Sequence, residues 1–505
     1  MSDFFKSTLL HPFLFAFFPI IFIFSNNVDL LEPNEIVIPS IIIGLITLVL
    51  IFIIRFCLKK EKTSLIISLG MILFFSYGYI FNLFDNVFPI KEIYLLGGLF
   101  GFFVIITIFL IQTRKKLDNV TTIVNVIAIS LISISSISII SYYLDSNEYD
   151  KITLNDENEF LLEKSKFVNK PNVYFIILDA YSGSEILNEM FGYDNSDFIS
   201  FLSEKGFHTV KNSHSNYAST EESLSSTLNM NYVHERLPNM EGEYRLGVVG
   251  RTIDNNIVME NFQELGYKII NFNSGVGFTR DLQIADITLC EKFGGDLMNL
   301  EMIRLLTKNS MLFPVQTKLY QSDMRNQILC IYSEVPNIEK NIDEPFFAFV
   351  HIFIPHRPFI FDSNGNVPKI QNIEIADVNE DKDGYLNQLM FANKKTKAMI
   401  NQILETSESK PIIIIQGDHG ATVIKGIESF NEEAIRERYS ILNTYYFPQE
   451  MDIQLYEKMS SVNTFRLIFN NYFDANYKLL EDKSYIIDTN NSKSIEVTKY
   501  LIKEN

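Results

Sequence analysis

The chain has 505 residues, 47% of them hydrophobic, and a formal net charge of −18 at pH 7. This length is sufficient for two or three domains, and the acidic balance excludes a nucleic-acid partner held by a basic surface. Three cysteines exclude a dense disulfide framework. Cys290 and Cys330 are free to pair if they lie outside the cytoplasm, but their spacing alone does not decide this.

The N-terminal part of the chain contains long apolar runs. Each run is close to the roughly 20 residues that a helix needs to cross a bilayer. None is interrupted by the polar residues that form one face of a helix in a soluble protein. The sequence therefore predicts five transmembrane helices. The runs are Leu9–Ser25, Ile36–Phe56, Ser64–Phe84, Ile93–Ile111 and Val120–Tyr143.

The charges of the connecting loops predict the orientation of these helices. The loops at 55–62 and 114–116 are basic, whereas the alternate loops carry mainly Asp and Glu. By the positive-inside rule the basic loops face the cytoplasm. With five crossings, we expect a plasma-membrane protein whose N-terminus is cytoplasmic and whose residues after Tyr143 are all extracytoplasmic.

The rest of the chain has the pattern of an α/β domain. Short apolar runs predict strands, and a helical pattern covers Asn387–Glu405. Strands that alternate with helices indicate a parallel or mostly parallel sheet. The predicted strands are "NVYFIIL", "GFHTV", "YKIINFNS", "PFFAFVHIFI", "PIIIIQ" and "TYYFP".

These patterns divide the chain into four segments. Residues 1–144 are predicted to form the transmembrane domain, and the polar residues 145–170 a linker. Residues 171–450 are predicted to form the extracytoplasmic α/β domain, and residues 451–505 a C-terminal extension packed on it.

Ionisable residues follow the ends of several predicted strands. Asp179 follows "NVYFIIL", His356 follows "PFFAFVHIFI", and Asp418 and His419 follow "PIIIIQ". Ligands of parallel α/β sheets bind at the carboxyl ends of the strands, so we expect these side chains to converge. His351 lies inside its apolar strand and is predicted to be a hydrogen-bonded core histidine.

The segment "NYASTEES" supplies a candidate nucleophile. Ser219 and Glu222 form a capping box, which places Thr220 at the start of a helix, where free N–H groups favour negative charge. Two interpretations are open from these residues alone. Ser219 and Thr220 either only cap the helix, or one of the two hydroxyls carries chemistry.

The segments "IILDAYSG", "NYASTEES", "PHRPF" and "GDHG" occur in the order found in the sulfatase-like branch of the alkaline phosphatase superfamily. With five preceding helices, the chain resembles the membrane phosphoglycerol and phosphoethanolamine transferases, such as lipoteichoic acid synthase. The resemblance implies an alkaline-phosphatase-like domain and a divalent metal ion bound by Asp179, Thr220, Asp418 and His419. It also implies that Thr220 is the nucleophile.

The same resemblance implies that His356 contacts the substrate, and Arg357 beside it is a second candidate to meet a phosphate. Two carboxylates, an imidazole and a hydroxyl suit one Mn²⁺, Mg²⁺ or Zn²⁺ ion. Metal coordination lowers the pKa of a hydroxyl, and a covalent threonine intermediate divides the transfer into two easier steps.

Two departures from the superfamily distinguish among its members. Sulfatases form formylglycine within a [CS]-x-P-x-R motif, but Thr220 is followed by Glu221 and Glu222, which disfavours sulfatase activity. Two-metal phosphatases need a further histidine downstream of the Asp-His pair. His419 is the last histidine of the chain, which argues against a complete second metal site.

The sequence predicts a membrane-anchored transferase that moves a phosphoryl-linked headgroup from a phospholipid to a glycan or lipid at the cell surface. One alternative is a hydrolase of the same fold, either a phosphodiesterase or a sulfatase, acting on a phospho- or sulfo-ester. Another is a non-catalytic membrane scaffold. The sequence does not separate transferase from hydrolase, because both share the first half-reaction.

Overall fold

The computed structural model forms two compact units. One comprises residues 1–150 and 292–323, and the other comprises residues 151–291 and 324–505. The structure describes residues 10–28, 31, 33–85, 92–149, 162, 170–236, 246–291, 301–368, 378–424, 426–448, 453, 455–488 and 493–501.

The first unit is helical. Four of its helices, α2 to α5, are long and apolar enough to cross a membrane, whereas the N-terminal apolar helix α1 has 17 residues. Four of the five predicted spans therefore meet the length and composition of a membrane helix, and α1 is shorter. The helices are α1 (Leu10–Asn26), α2 (Val37–Arg55), α3 (Lys60–Asp85), α4 (Glu92–Gln112) and α5 (Asp118–Tyr149).

Helix α1 packs inside this unit. Its Phe15 and Ala16 pack against Ile67 and Met71 of α3 and Ala128 of α5. By contrast, α2 and α4 expose many large apolar side chains. Such surface is unfavourable in water and stable against lipid, as expected of membrane helices.

A later part of the chain also belongs to this unit. It contains α12 (Glu301–Lys308) and the first part of α13 (Phe313–Glu334). Gly78 of α3 donates its N–H to the carbonyl of Asn309 at 3.1 Å. A Cβ at Gly78 would lie 2.7 Å from the Lys308 carbonyl oxygen, so glycine permits this close approach. The sequence pattern did not separate this segment from the α/β domain.

The second unit contains a seven-stranded sheet of order β2-β7-β6-β1-β5-β3-β4. The five strands from β6 to β4 run parallel, and β7 is antiparallel to both β6 and β2. The predicted mostly parallel sheet is thus confirmed. The strands are β1 (Val173–Leu178), β2 (His208–Thr209), β3 (Lys268–Phe272), β4 (Ile287–Leu289), β5 (Phe346–Ile352), β6 (Ile412–Gln416) and β7 (Asn443–Tyr446).

The central strands form the core because both of their faces are covered. All residues of β1, β5 and β6 are buried, as their continuous apolar runs predict. Val173 of β1 lies in register with Phe347 of β5 and Ile412 of β6. This register brings the carboxyl ends of the three strands to the same edge of the sheet.

Helices flank the sheet, and a short hairpin lies near the C-terminus. Val497, which follows the hairpin, packs against Ile435 and Tyr439. The helices are α6 (Ser184–Phe191), α7 (Ser196–Glu204), α8 (Thr220–Leu228), α9 (Val233–Arg236), α10 (Leu246–Asp254), α11 (Ile257–Glu264), α14 (Val378–Thr406), α15 (Glu432–Tyr439) and α16 (Thr464–Tyr472), and the hairpin strands are β8 (Tyr485–Asp488) and β9 (Lys493–Glu496).

Most of the predicted linker 145–170 and the boundary at residue 450 lie outside the described residues, and the four predicted segments stay predictions. Cys290 and Cys330, which the sequence left open, form a disulfide. It joins the end of β4 to the later part of α13.

We expect the Cys290–Cys330 bond to stabilise the second unit. Closing a loop with a sequence separation of 40 residues corresponds to about 4 kcal/mol in the chain-entropy treatment. Cys290→Ser should therefore lower the melting temperature of the detergent-solubilised protein. Cys57→Ser is the matched control, because Cys57 is an exposed free cysteine. Equal melting of both variants would contradict this role.

Candidate metal centre

The strand ends bring the predicted acidic and imidazole side chains together. Asp179 follows β1, and Asp418 and His419 follow the neighbouring strand β6. His419 Nε2 lies 3.7 Å from Asp179 Oδ1 and 3.5 Å from Asp418 Oδ2. All three side chains are buried. The structure thus places these three predicted metal ligands in one cluster at the edge of the sheet.

Helix α8 delivers the hydroxyl groups to this cluster. Thr220 Oγ1 lies 3.3 Å from His419 Nε2. Ser219 is the N-cap residue, and its Oγ accepts a hydrogen bond from the Glu222 N–H at 3.3 Å. Ser223 Oγ donates to the Asp418 carbonyl at 2.5 Å and so fixes α8 against the end of β6. Ser219 holds the helix start, while Thr220 faces the cluster.

Two more histidines border Asp179. The ligand atoms of Asp179, His356 and His419 lie within 4.8 Å of one another, and so do those of Asp179, His351 and Asp418. His351 Nε2 lies 3.2 Å from Asp179 Oδ2, and its Nδ1 lies 2.7 Å from Thr279 Oγ1. His351 is buried, as predicted for a core histidine, but its partner is a carboxylate of the site. His351 lies opposite Ile177, two residues before Asp179, and this register, which the sequence does not reveal, brings it to the site.

Arg357, predicted to bind substrate with His356, has a different partner. Its Nη2 forms an ion pair with Asp381, and its guanidinium lies 5.4 Å from the centroid of the Phe359 ring. The backbone of His356 is held in place, since its N–H donates to the Asp179 carbonyl at 3.1 Å. The structure brings His356 into the cluster and neutralises Arg357 with a carboxylate outside it.

Electrostatics set the protonation of the cluster. Burial, with the positive charge of the nearby Arg438 acting in the same direction, lowers the pKa of His419 to about 4. Burial alone would raise the pKa of Asp179, but the facing imidazoles, His356 foremost, hold it below its ordinary value. At neutral pH the site therefore presents a neutral imidazole and an ionised carboxylate, the forms that bind metals.

The tautomer of His419 follows from its hydrogen bonds. Its Nδ1 lies 2.8 Å from the Gly420 carbonyl oxygen. A carbonyl can only accept, so Nδ1 carries the proton and the lone pair lies on Nε2. A lone pair that faces two carboxylates is repelled by them unless a cation lies between. Holding one ring nitrogen while the other faces the site is typical of metal-binding histidines.

Buried oxygens of the cluster also lack partners. Asp418 Oδ1 accepts N–H groups from Ala180 at 3.0 Å and from His419 at 2.9 Å. Asp179 Oδ1 and Asp418 Oδ2, however, are buried without a hydrogen-bond partner in the described part of the chain. Uncompensated buried carboxylates cost several kcal/mol each. The residues present therefore fit a divalent cation.

Arg438 of α15 lies beside the site but was not among the predicted site residues. Its Nε donates to the Ala218 carbonyl, and its own carbonyl accepts the Gly420 N–H at 2.6 Å. Burial lowers the pKa of this guanidinium, whereas Asp418 and Asp179 oppose that shift. Arg438 thus connects the segment before Thr220 with the segment after His419. Neither a motif nor a strand end marked it in the sequence.

Comparison with known protein families gives one match. Residues 171–465 match the family model described as Sulfatase. No curated protein matches the sequence.

Several solved structures are similar in fold. The C-terminal periplasmic domain of EcEptC from Escherichia coli shares 13% identity over 67% of this chain and 97% of that chain, with a TM-score of 0.45. Lipooligosaccharide phosphoethanolamine transferase A from Neisseria meningitidis shares 11% identity over 91% and 94%, with a TM-score of 0.41. A putative sulfatase from Bacteroides thetaiotaomicron shares 14% identity over 61% and 72%, with a TM-score of 0.38.

Replacing the Asp418 carboxylate should weaken metal binding without preventing the protein from folding. We expect Asp418→Asn to melt at a higher temperature than the wild type after chelation, because the variant relieves repulsion in the cluster. Manganese or zinc should raise the melting temperature of the wild type by mass action but not that of the variant. Asp197→Asn, which changes a side chain that is 93% exposed, should respond like the wild type. A full metal response in Asp418→Asn would contradict the ligand assignment.

Glu437 should make stability depend on pH. It accepts the N–H groups of Val423 at 3.0 Å and Ile424 at 2.8 Å, and burial raises its pKa to about 7 from 4.5. Between these values the folded chain binds a proton that the unfolded chain does not, so stability falls as pH rises through this window. The difference corresponds to about 3 kcal/mol.

Glu437→Gln stays neutral at every pH and should remove this dependence. Melting temperatures of both proteins between pH 5 and pH 8 measure it. Parallel curves would show that Glu437 does not titrate in this range.

Proposed function

The chain belongs to the sulfatase family, and we propose that this member is a membrane-anchored, metal-dependent transferase. In this proposal it moves a phosphoryl-linked headgroup from a phospholipid to a glycan or lipid at the cell surface. The observation that carries the proposal is Thr220 Oγ1, 3.3 Å from His419 Nε2 and beside a buried pair of carboxylates.

Sulfate-ester hydrolysis fits this site poorly. A formylglycine residue needs a cysteine or serine whose side chain can become an aldehyde, and threonine would give a ketone instead. Ser219 is adjacent, but its oxygen caps α8. The residues after Thr220 also lack the proline and arginine of the sulfatase motif.

Asp179, Asp418, His419 and Thr220 would hold the metal ion, which we propose to be Mn²⁺, Mg²⁺ or Zn²⁺. When bound, such an ion supplies positive charge that lowers the pKa of a hydroxyl and offsets charge on a phosphoryl group. Thr220 Oγ then attacks phosphorus, a new bond forms from phosphorus to Oγ, and the bond from phosphorus to the lipid oxygen breaks. The departing lipid oxygen takes up the proton that Thr220 loses.

We propose that His356 serves the second step. Its Nδ1 lies 2.5 Å from the Arg357 carbonyl oxygen, so Nδ1 carries a proton, and in the neutral form of the ring the lone pair is on Nε2. In the proposal Nε2 accepts the proton of the attacking acceptor hydroxyl, while the bond from phosphorus to Thr220 Oγ breaks. A water molecule in place of that hydroxyl would make the enzyme a phosphodiesterase, the second candidate.

We also propose five membrane crossings, with α1 as the first and a cytoplasmic N-terminus. His11 Nδ1 of α1 lies 2.6 Å from Ser68 Oγ of α3, which supports packing of α1 among the spanning helices. The side of the α/β domain does not depend on α1, because the basic loops follow α2 and α4. If those loops are cytoplasmic, α5 leads outward. The Cys290–Cys330 disulfide suits that oxidising side.

The hydroxyls of Ser219 and Thr220 provide the test. Thr220→Ala should abolish turnover of a labelled phospholipid donor in the presence of Mn²⁺, with little change in melting. Ser219→Ala should cost about 1 kcal/mol of stability through the lost cap and retain turnover. Thr220→Ser should keep partial activity, because it retains the oxygen.

Full activity in Thr220→Ala would exclude the proposed nucleophile. Labelled product that appears equally with and without an acceptor would favour the phosphodiesterase. A wild-type protein that binds no metal and turns over no donor would favour the non-catalytic scaffold.

A further inference from the structure

A second polar site lies within the helical unit, apart from the metal centre. The loop between α2 and α3 and the loop between α4 and α5 line an open cavity of about 650 Å³. Lys62 fixes the two loops together, since its Nζ donates to the carbonyls of Ile111 at 2.6 Å and Thr113 at 2.9 Å. The cavity is therefore built by two segments some fifty residues apart in the chain.

The cavity is strongly basic. Its lining includes five Lys or Arg residues and two acidic residues, Glu61 and Asp118. These basic residues, which include Lys59 and Lys115, form no ion pair with the acidic side chains that the structure describes. The five basic residues of the lining are Lys59, Lys62, Arg114, Lys115 and Lys116.

Membrane topology alone does not explain this arrangement. The positive-inside rule requires basic residues at one end of the helices but does not require them to line a common cavity. Arg55 and Lys60 satisfy the same rule, and they are not part of the lining. The cavity thus divides the basic residues of this end into two groups that an experiment can compare.

The rim of the cavity is apolar. Leu58 and Ile111 belong to the lining, and the adjoining helix ends expose Phe56 (78%) and Phe109 (66%). A ligand that fills the cavity and continues along this surface needs an anionic head and an apolar tail. We propose that the cavity binds the headgroup of an anionic phospholipid, with phosphate oxygens at Lys59 and Lys115 and acyl chains along α2 and α4. Basic pockets between membrane helices are suited to such headgroups.

Cys57 provides a native reporter of this site. It lines the cavity, it is exposed, and the other two cysteines of the chain are joined to each other. In the detergent-solubilised full chain, short-chain phosphatidylglycerol should slow the reaction of Cys57 with a maleimide. Phosphatidylcholine of equal chain length and inorganic phosphate should give little protection.

Lysine variants test whether the protection of Cys57 arises from lipid bound in this cavity. Lys59→Gln and Lys115→Gln should each shift the protecting concentration roughly fivefold upward, as expected for the loss of one cation near a lipid phosphate. Lys60→Gln, adjacent in sequence but outside the lining, should behave like the wild type. Equal protection by phosphatidylcholine, equal protection by inorganic phosphate, or an equal shift in Lys60→Gln would each overturn the proposal. The result does not depend on the transferase activity.

Discussion

The site of this protein is governed by the repulsion between two buried carboxylates at the ends of adjacent parallel strands. Asp179 ends β1, Asp418 ends β6, and the lone pair of His419 faces both of them. The β1–β6 register brings the two strand ends side by side, and ligand atoms of Asp179 and Asp418 lie within 4.8 Å of each other. Such an arrangement is costly unless a cation neutralises it, and that requirement links the fold to metal-dependent chemistry.

The surrounding residues hold the cluster in place. His351 lies against Asp179, Ser223 donates to the Asp418 carbonyl, and Arg438 bonds the Ala218 carbonyl. These contacts set the position of the Thr220 hydroxyl, which carries the proposed function. Ser219 acts as the cap of α8, so the neighbouring hydroxyl need not stabilise the helix start. A hydroxyl held in position by such contacts is consistent with the proposed nucleophile.

The features that could be predicted from the sequence were those set by local pattern. The isoleucine run of β6 is apolar on both faces, so its strand and the position of Asp418 followed directly. Strand β4 was not predicted, because it has only three residues, all half-buried, and these are too few to show the alternating pattern of a strand. The role of Arg438 and the ion-pair partner of Arg357 could not be predicted, because only tertiary contacts determine them. The placement of residues 301–323 with the membrane helices likewise depends on packing that no local pattern records.

The proposed mechanism is tested most directly by identifying the residue that carries the headgroup phosphate in the covalent intermediate. The solubilised chain would be incubated with a phospholipid donor and Mn²⁺ without acceptor, quenched, digested and sequenced by mass spectrometry. We expect a headgroup phosphate attached to Thr220, and none in Asp418→Asn. An adduct on Ser219, or continued turnover with no adduct on either hydroxyl, would contradict it.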